Sequence, residues 1–224
     1  MNISPALRAP TQAGVATLIV AAIAWVVLVA QSAQMGTMGA MSTVGAFVAT
    51  WVVMMTAMML PAAVPFVSGF VRRRRDDWRL GAVVLVAVYL AVWTGFGAVA
   101  HVLYSLLPPA WMDQRFVAGV AVVAAGLYAF TPVQRSFQAR CHALCAEPPC
   151  SAATGGLEYG ITCVGCSWVL MVALLFLGIS NLAWMVIAAA VVLVYKLAPP
   201  RPRWQNTAAI ILLAAGIGVA LLPV

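Results

Sequence analysis

Charged side chains are scarce in this sequence: Asp, Glu, Lys and Arg together make up 8% of its 224 residues, against about 25% in soluble domains. That scarcity excludes an ordinary water-soluble fold. No internal repeat and no coiled-coil heptad is present, and no polar stretch is long enough for a separate soluble domain. Acidic residues are rarest, 5 against 12 Lys and Arg, which leaves a formal charge of +7. A nucleic-acid partner does not follow from that charge, because no basic amphipathic or aromatic-interleaved segment accompanies it. In a polytopic protein such charge is topological and gathers in cytoplasmic loops.

Apolar residues fill the space that charge leaves, at 65% of the chain and a mean hydropathy of +1.04. Several runs reach the 18 or more residues that cross a bilayer, where backbone polar groups must be satisfied inside helices. The predicted fold class is therefore all-α: a single polytopic membrane helix bundle over residues 1–224. About seven transmembrane helices are expected, near 12–30, 44–71, 80–107, 115–131, 160–178, 181–197 and 205–222, with a polar loop at 132–158. Arg8 and the apolar run from Ala13 imitate a signal peptide, but further spans follow, so an uncleaved first helix is expected. The 38 residues from Tyr159 to Lys196 would make one helix about 57 Å long, nearly twice the hydrocarbon thickness. Gly178-Ile-Ser-Asn181 offers a turn in its middle; if the two halves form one broken pair, six spans remain. With the N-terminus cytoplasmic, Arg8, Arg72 to Arg75, Arg79, Arg135, Arg140, Lys196, Arg201 and Arg203 fall inside, 11 of the 12 basic residues. Only Arg115 falls outside, and that bias fixes the expected orientation.

Sulfur is the unusual ingredient. Within Trp51–Pro65 the chain reads W-V-V-M-M-T-A-M-M-L-P-A-A-V-P. Helical spacing stacks Met54 over Met58 and Met55 over Met59, one turn apart. Pro61 and Pro65 follow, each removing an amide donor and predicting a kink beside loosened carbonyls. Met35, Met38 and Met41 recur every third residue in the uncharged connector expected outside. Thioethers need no deprotonation, and soft sulfur selects Cu(I) over hard cations. The plainer alternative is that methionine fills irregular gaps between helices, and that the connector is an apolar loop at the interface.

On the opposite face the loop reads Cys141-His142-Ala-Leu-Cys145, with Cys150 beyond, and Cys163-Val-Gly-Cys166 opens the fifth expected span. In a reducing compartment this pattern points to metal or redox chemistry, not structural disulfides. A pair in the first turns of a helix would have its thiolates favoured by the dipole. The second half of a zinc finger is missing, so a transient soft-metal site is expected before a structural zinc site. His101 and Asn181 are polar residues inside apolar runs: His101 is a weaker candidate ligand and Asn181 a helix cap.

These blocks, together with Thr131-Pro132 ahead of C-x-x-x-C-x-x-P and with G-I-S-N-L-A-W-M, resemble a bacterial family of predicted metal-binding integral membrane proteins whose function is unknown. The resemblance covers roughly residues 35–196. It implies a multi-pass protein of the bacterial inner (cytoplasmic) membrane that binds metal. The family's marked residues fall on Trp51, Met54, Met58, Met59, Pro61, Pro65, Cys141, Cys145, Cys163, Cys166, Trp168, Asn181 and Trp184. The chain departs from the pattern at Ser167, where a second cysteine is usual, and at Tyr195, where an acidic residue is. The expected function is Cu(I) handling, by transport or by delivery to a cuproenzyme. The metal ligands would come from Met35, Met38, Met41, Met54, Met55, Met58, Met59, Cys141, His142, Cys145, Cys163 and Cys166. Its implied partners are the lipid bilayer and a metallochaperone or a cuproenzyme under assembly. Two alternatives stay open: a membrane thiol–disulfide oxidoreductase using Cys163 and Cys166, and a non-catalytic assembly subunit.

Overall fold

A computed structural model of the chain describes residues 5–35, 44–74, 77–107, 115–177, 182–197 and 202–221. Among them are eight helices and no strand: α1 (Pro5–Met35), α2 (Val44–Arg73), α3 (Trp78–Ser105), α4 (Arg115–Tyr128), α5 (Pro132–Ala146), α6 (Ala152–Leu177), α7 (Leu182–Leu197) and α8 (Pro202–Leu221). By length and composition, four of them (within α1, and α2, α3 and α6) could each cross a membrane. The α4–α5 pair is bent by 67° at its break and would make a fifth span if counted as one. At 16 residues, α7 is about 24 Å long, short of the hydrocarbon thickness unless flanking residues extend it. The all-α class agrees with the sequence; the structure itself supports four or five spans.

Local chemistry accounts for the helix ends. Arg72 and Arg73 close the last turn of α2, where cations complement exposed carbonyls. Asp77 adopts φ 51 between α2 and α3, a left-handed conformation that Asp tolerates, and its carbonyl accepts from Gly81 N–H at 3.0 Å. Residues 132–146 lie in α5, where the sequence predicts a polar loop. Thr131 caps that helix, its Oγ1 accepting from Gln134 N–H at 3.3 Å, and Pro132 occupies the first helical position, where its missing N–H is harmless. The segment is too polar to read as a span, yet helix formation requires only the cap and the propensity. Ser151 caps α6 in the same way, with Thr154 N–H donating to its Oγ at 3.5 Å. That helix starts eight residues before the predicted fifth span. The turn predicted at 178–181 lies outside the described residues.

The chain divides into two compact units. The first comprises Met1–Gly97 and Arg140–Cys163; the second comprises Ala98–Ala139 and Val164–Val224. In the first, α2 is the central helix, and Trp51, Met54, Met55, Ala57, Leu60, Phe66 and Phe70 are all buried. Small and apolar residues Ala13, Thr17, Ala21, Ala24 and Leu28 form the buried stripe of α1, while Ile19, Ile23 and Val26 point outward and are exposed. Ser68 Oγ donates to Pro10 O at 3.2 Å, tying the start of α1 to the end of α2. The helix α2 runs unbroken through Pro61 and Pro65. The prolines therefore do not end the helix; they lie with Val64 and Ser68 on its half-buried side.

In the second unit, Val122, Ala173 and Leu212 form a core on which Leu170, Val191 and Tyr195 pack. Here α4 and α8 meet through glycine. A Cβ at Gly119 would lie 2.5 Å from Ala220 Cβ, and one at Gly216 would lie 2.7 Å from Val123 N. Small residues let the two backbones touch.

A candidate copper site

The methionine ladder occupies the most buried stretch of the first unit. Met54, Met55 and Met59 are 0% exposed and Met58 2%. Two helices, α3 and α6, meet this stretch with polar groups that the apolar pattern does not reveal. Trp51 Nε1 donates to Trp93 O on α3 at 3.0 Å, and its indole lies against Gly97, where any Cβ would collide with the ring. One face of Tyr159, on α6, stacks on Phe66 at 4.1 Å with an interplanar angle of 5°. Its hydroxyl donates to Ala62 O at 3.3 Å. That carbonyl is next to the one at Pro61, which Pro65 leaves without its helical donor.

Those contacts fix the register between α2 and α6. A Cβ on Gly155 would be 3.6 Å from Phe66, and Tyr159 reaches Ala62, so the two helices run antiparallel. One further turn on each brings Cys163 level with Met58. Cys163 is 0% exposed, and its Sγ is 3.2 Å from the hydroxyl of Tyr89 on α3. Tyr89 also contacts Tyr159, ring to ring at 5.5 Å. A thiol, two phenols and the thioether-bearing turn of α2 therefore share one dry layer of the first unit.

The other predicted ligands are distributed differently. Cys141 is buried and Cys145 half-buried, one turn apart on the last turns of α5, with His142 between them half-buried. A Cβ on Gly69 of α2 would be 3.0 Å from Cys145 O, which sets this pair against the basic end of α2. Cys150 is exposed. Among the described residues, no three of His, Cys, Asp and Glu gather to hold one ion. Any site of three or more ligands in these residues would therefore draw on methionine. Met38 and Met41 lie outside the described residues, as does the side chain of Met35. On α3, His101 is half-buried.

Cys166 belongs to the second unit, on the same helix as Cys163 but three residues on. Both cysteines lie at least eleven residues past Ala152, well beyond the first turn to which the N-terminal dipole is confined. The thiolate stabilisation expected from that dipole is thus withdrawn, because α6 begins earlier than its apolar run. Two side chains tap the backbone around Cys166: Tyr128 OH donates to Gly165 O at 2.6 Å, and Gln134 Nε2 donates to Cys166 O at 3.4 Å. Gly165 accommodates the Phe137 ring, which a Cβ would meet at 2.6 Å. A cavity of about 30 Å³ lies beside Cys166, lined also by Gln134, Ser167 and Tyr195.

Sequence reasoning missed Tyr89, Tyr159, Tyr128 and Gln134. The available signal was a phenol or an amide inside or beside an apolar run, where a buried polar group must find a partner; spacing alone names none of those partners. No curated protein and no solved structure matches the chain. The family model described as PpoB2, copper chaperone, matches residues 48–219. That interval spans α2 to α8 with both cysteine pairs and the methionine ladder, and the chain belongs to this copper-chaperone family.

Proposed function

We propose that the chain is a multi-pass protein of the bacterial inner membrane, N-terminus cytoplasmic, that holds Cu(I) as cargo and passes it to a cuproenzyme under assembly. On this reading α4, α7 and α8 also cross, giving about seven spans. The observation that carries it is Cys163: a fully buried thiol, hydrogen-bonded to Tyr89, at the level of Met58 by the register of α2 and α6, in a copper-chaperone chain. A thiolate with one or two thioethers is a two- or three-coordinate soft site, suited to Cu(I) and poor for hard ions. Few ligands and neutral sulfur keep such a site from trapping its cargo. Cys141 and Cys145, near the basic end of α2 with His142 between them in the chain, form a two-thiol station on the cytoplasmic side, and Met35, Met38 and Met41 the outer one. Complete burial of Cys163 argues against the oxidoreductase alternative, which needs an accessible sulfur for thiolate attack.

The test is anaerobic loading of detergent-purified protein with Cu(I), followed by metal analysis and competition with a colorimetric Cu(I) chelator. Stoichiometric copper is expected, with retention falling at least about tenfold, or 1.4 kcal/mol, in Cys163→Ser. Copper retained equally by Cys163→Ser and Met58→Leu would overturn the site.

A further inference from the structure

An apolar groove of about 650 Å³ opens between α1, α2 and α3 in the first unit. Small side chains, Ala13, Ala16, Ala82 and Ala87 among them, hollow out its walls. One polar wall residue, Thr17, spends its hydroxyl proton on Ala13 O at 2.8 Å and has no donor left for a ligand. The groove follows α3 from Trp78 to Leu90, a distance of about 18 Å. One bilayer leaflet contributes about 15 Å of hydrocarbon.

Its two ends differ. Gln12, Trp78 and Arg79 lie at the end where the start of α1 meets the end of α2. The Arg79 guanidinium sits over the Trp78 ring at 5.4 Å. Arg74, over Phe70 at 5.6 Å, would be 2.7 Å from a Cβ on Gly81, one turn of α3 or less from Arg79. Over residues 72–79 the sequence carries five arginines against Asp76 and Asp77. The far end, toward Val20 and Leu90, is apolar.

We infer that this groove binds one acyl chain of an anionic phospholipid, with the lipid phosphate on Arg79 and the chain running along α3. Length, dryness and a cation at one end match an amphiphile of that polarity. Trp78 belongs at the headgroup level, where indoles concentrate. This inference rests on the membrane reading and adds a ligand that the copper chemistry does not require.

Native mass spectrometry of the full-length protein, with phosphatidylglycerol and phosphatidylcholine of identical chains, tests it. The unaltered protein is expected to retain phosphatidylglycerol at least about tenfold better. Arg79→Gln should bring the two lipids within twofold of each other, while Ala82→Leu, which fills the groove, should lower retention of both. Copper retention should be unchanged in either variant. Equal retention of the two lipids by the unaltered protein overturns the inference without any variant having to fold, as does a preference that survives Arg79→Gln. Failure of the membrane reading is seen separately: alkaline carbonate would release the chain from membranes.

Discussion

Met58 and its neighbours differ from ordinary core residues in one respect, sulfur, and substitution can separate that from their bulk. Met58→Leu conserves volume and should cost less than about 1.5 kcal/mol of stability. Copper retention should nonetheless fall several-fold, as read by chelator competition; unchanged retention would return the ladder to packing alone. Tyr89→Phe removes the hydroxyl 3.2 Å from Cys163 Sγ and leaves the ring in place. Its expected effect is a change in Cu(I) affinity, with a stability loss of about 1 kcal/mol. Affinity unmoved by Tyr89→Phe would show that the phenol only fills space. The proposed site uses the single thiol of Cys163, so the family-pattern departure at Ser167, beside Cys166, does not remove a ligand from it.

Elements are held by a few close approaches, and these set the cost of disturbing them. Gly97 lets α3 lie against the Trp51 indole. Gly97→Ala should therefore destabilise the first unit by about 1–3 kcal/mol, lowering the thermal midpoint in detergent; an unchanged midpoint would mean that the ring moves aside freely. Thr131→Ala deletes the cap on Gln134 N–H and should cost about 1 kcal/mol, seen as faster hydrogen exchange over residues 132–136. Several elements were legible from the pattern. The helices α1, α2 and α3 follow from apolar runs bounded by arginine, proline and glycine, and α7 and α8 start within a few residues of prediction. Two features were not. The helix α5 is polar and short, so periodicity gave no sign of it, and α2 continues through two prolines that propensity alone would read as its end.

For the whole molecule, orientation is the claim most open to measurement. Cys150 is exposed and Cys163 fully buried. In sealed inside-out vesicles a membrane-impermeant maleimide should label Cys150 and spare Cys163 until the protein is unfolded. Labelling of Cys150 from the periplasmic side would invert the topology and move the cysteine stations away from the cytoplasm.

Charge scarcity, apolar length and the arginine bias are properties of composition, and the sequence by itself determined from them the all-α class and the expectation of a membrane. The sulfur content likewise set the class of cargo to expect, because ligand softness is a property of the side chain wherever it stands. Only the tertiary structure decided which sulfurs share a layer. Cys163 comes level with Met58 because Tyr159 and Phe66 set the register of two antiparallel helices, a contact between residues 93 positions apart that no local spacing encodes. It also gave the two thiols of the motif different surroundings: Cys163 is fully buried against Tyr89, whereas Cys166 is half-buried and lines a cavity. Three residues along a helix leave two side chains only about 60° apart, and what each thiol meets depends on the neighbours that packing brings to its side.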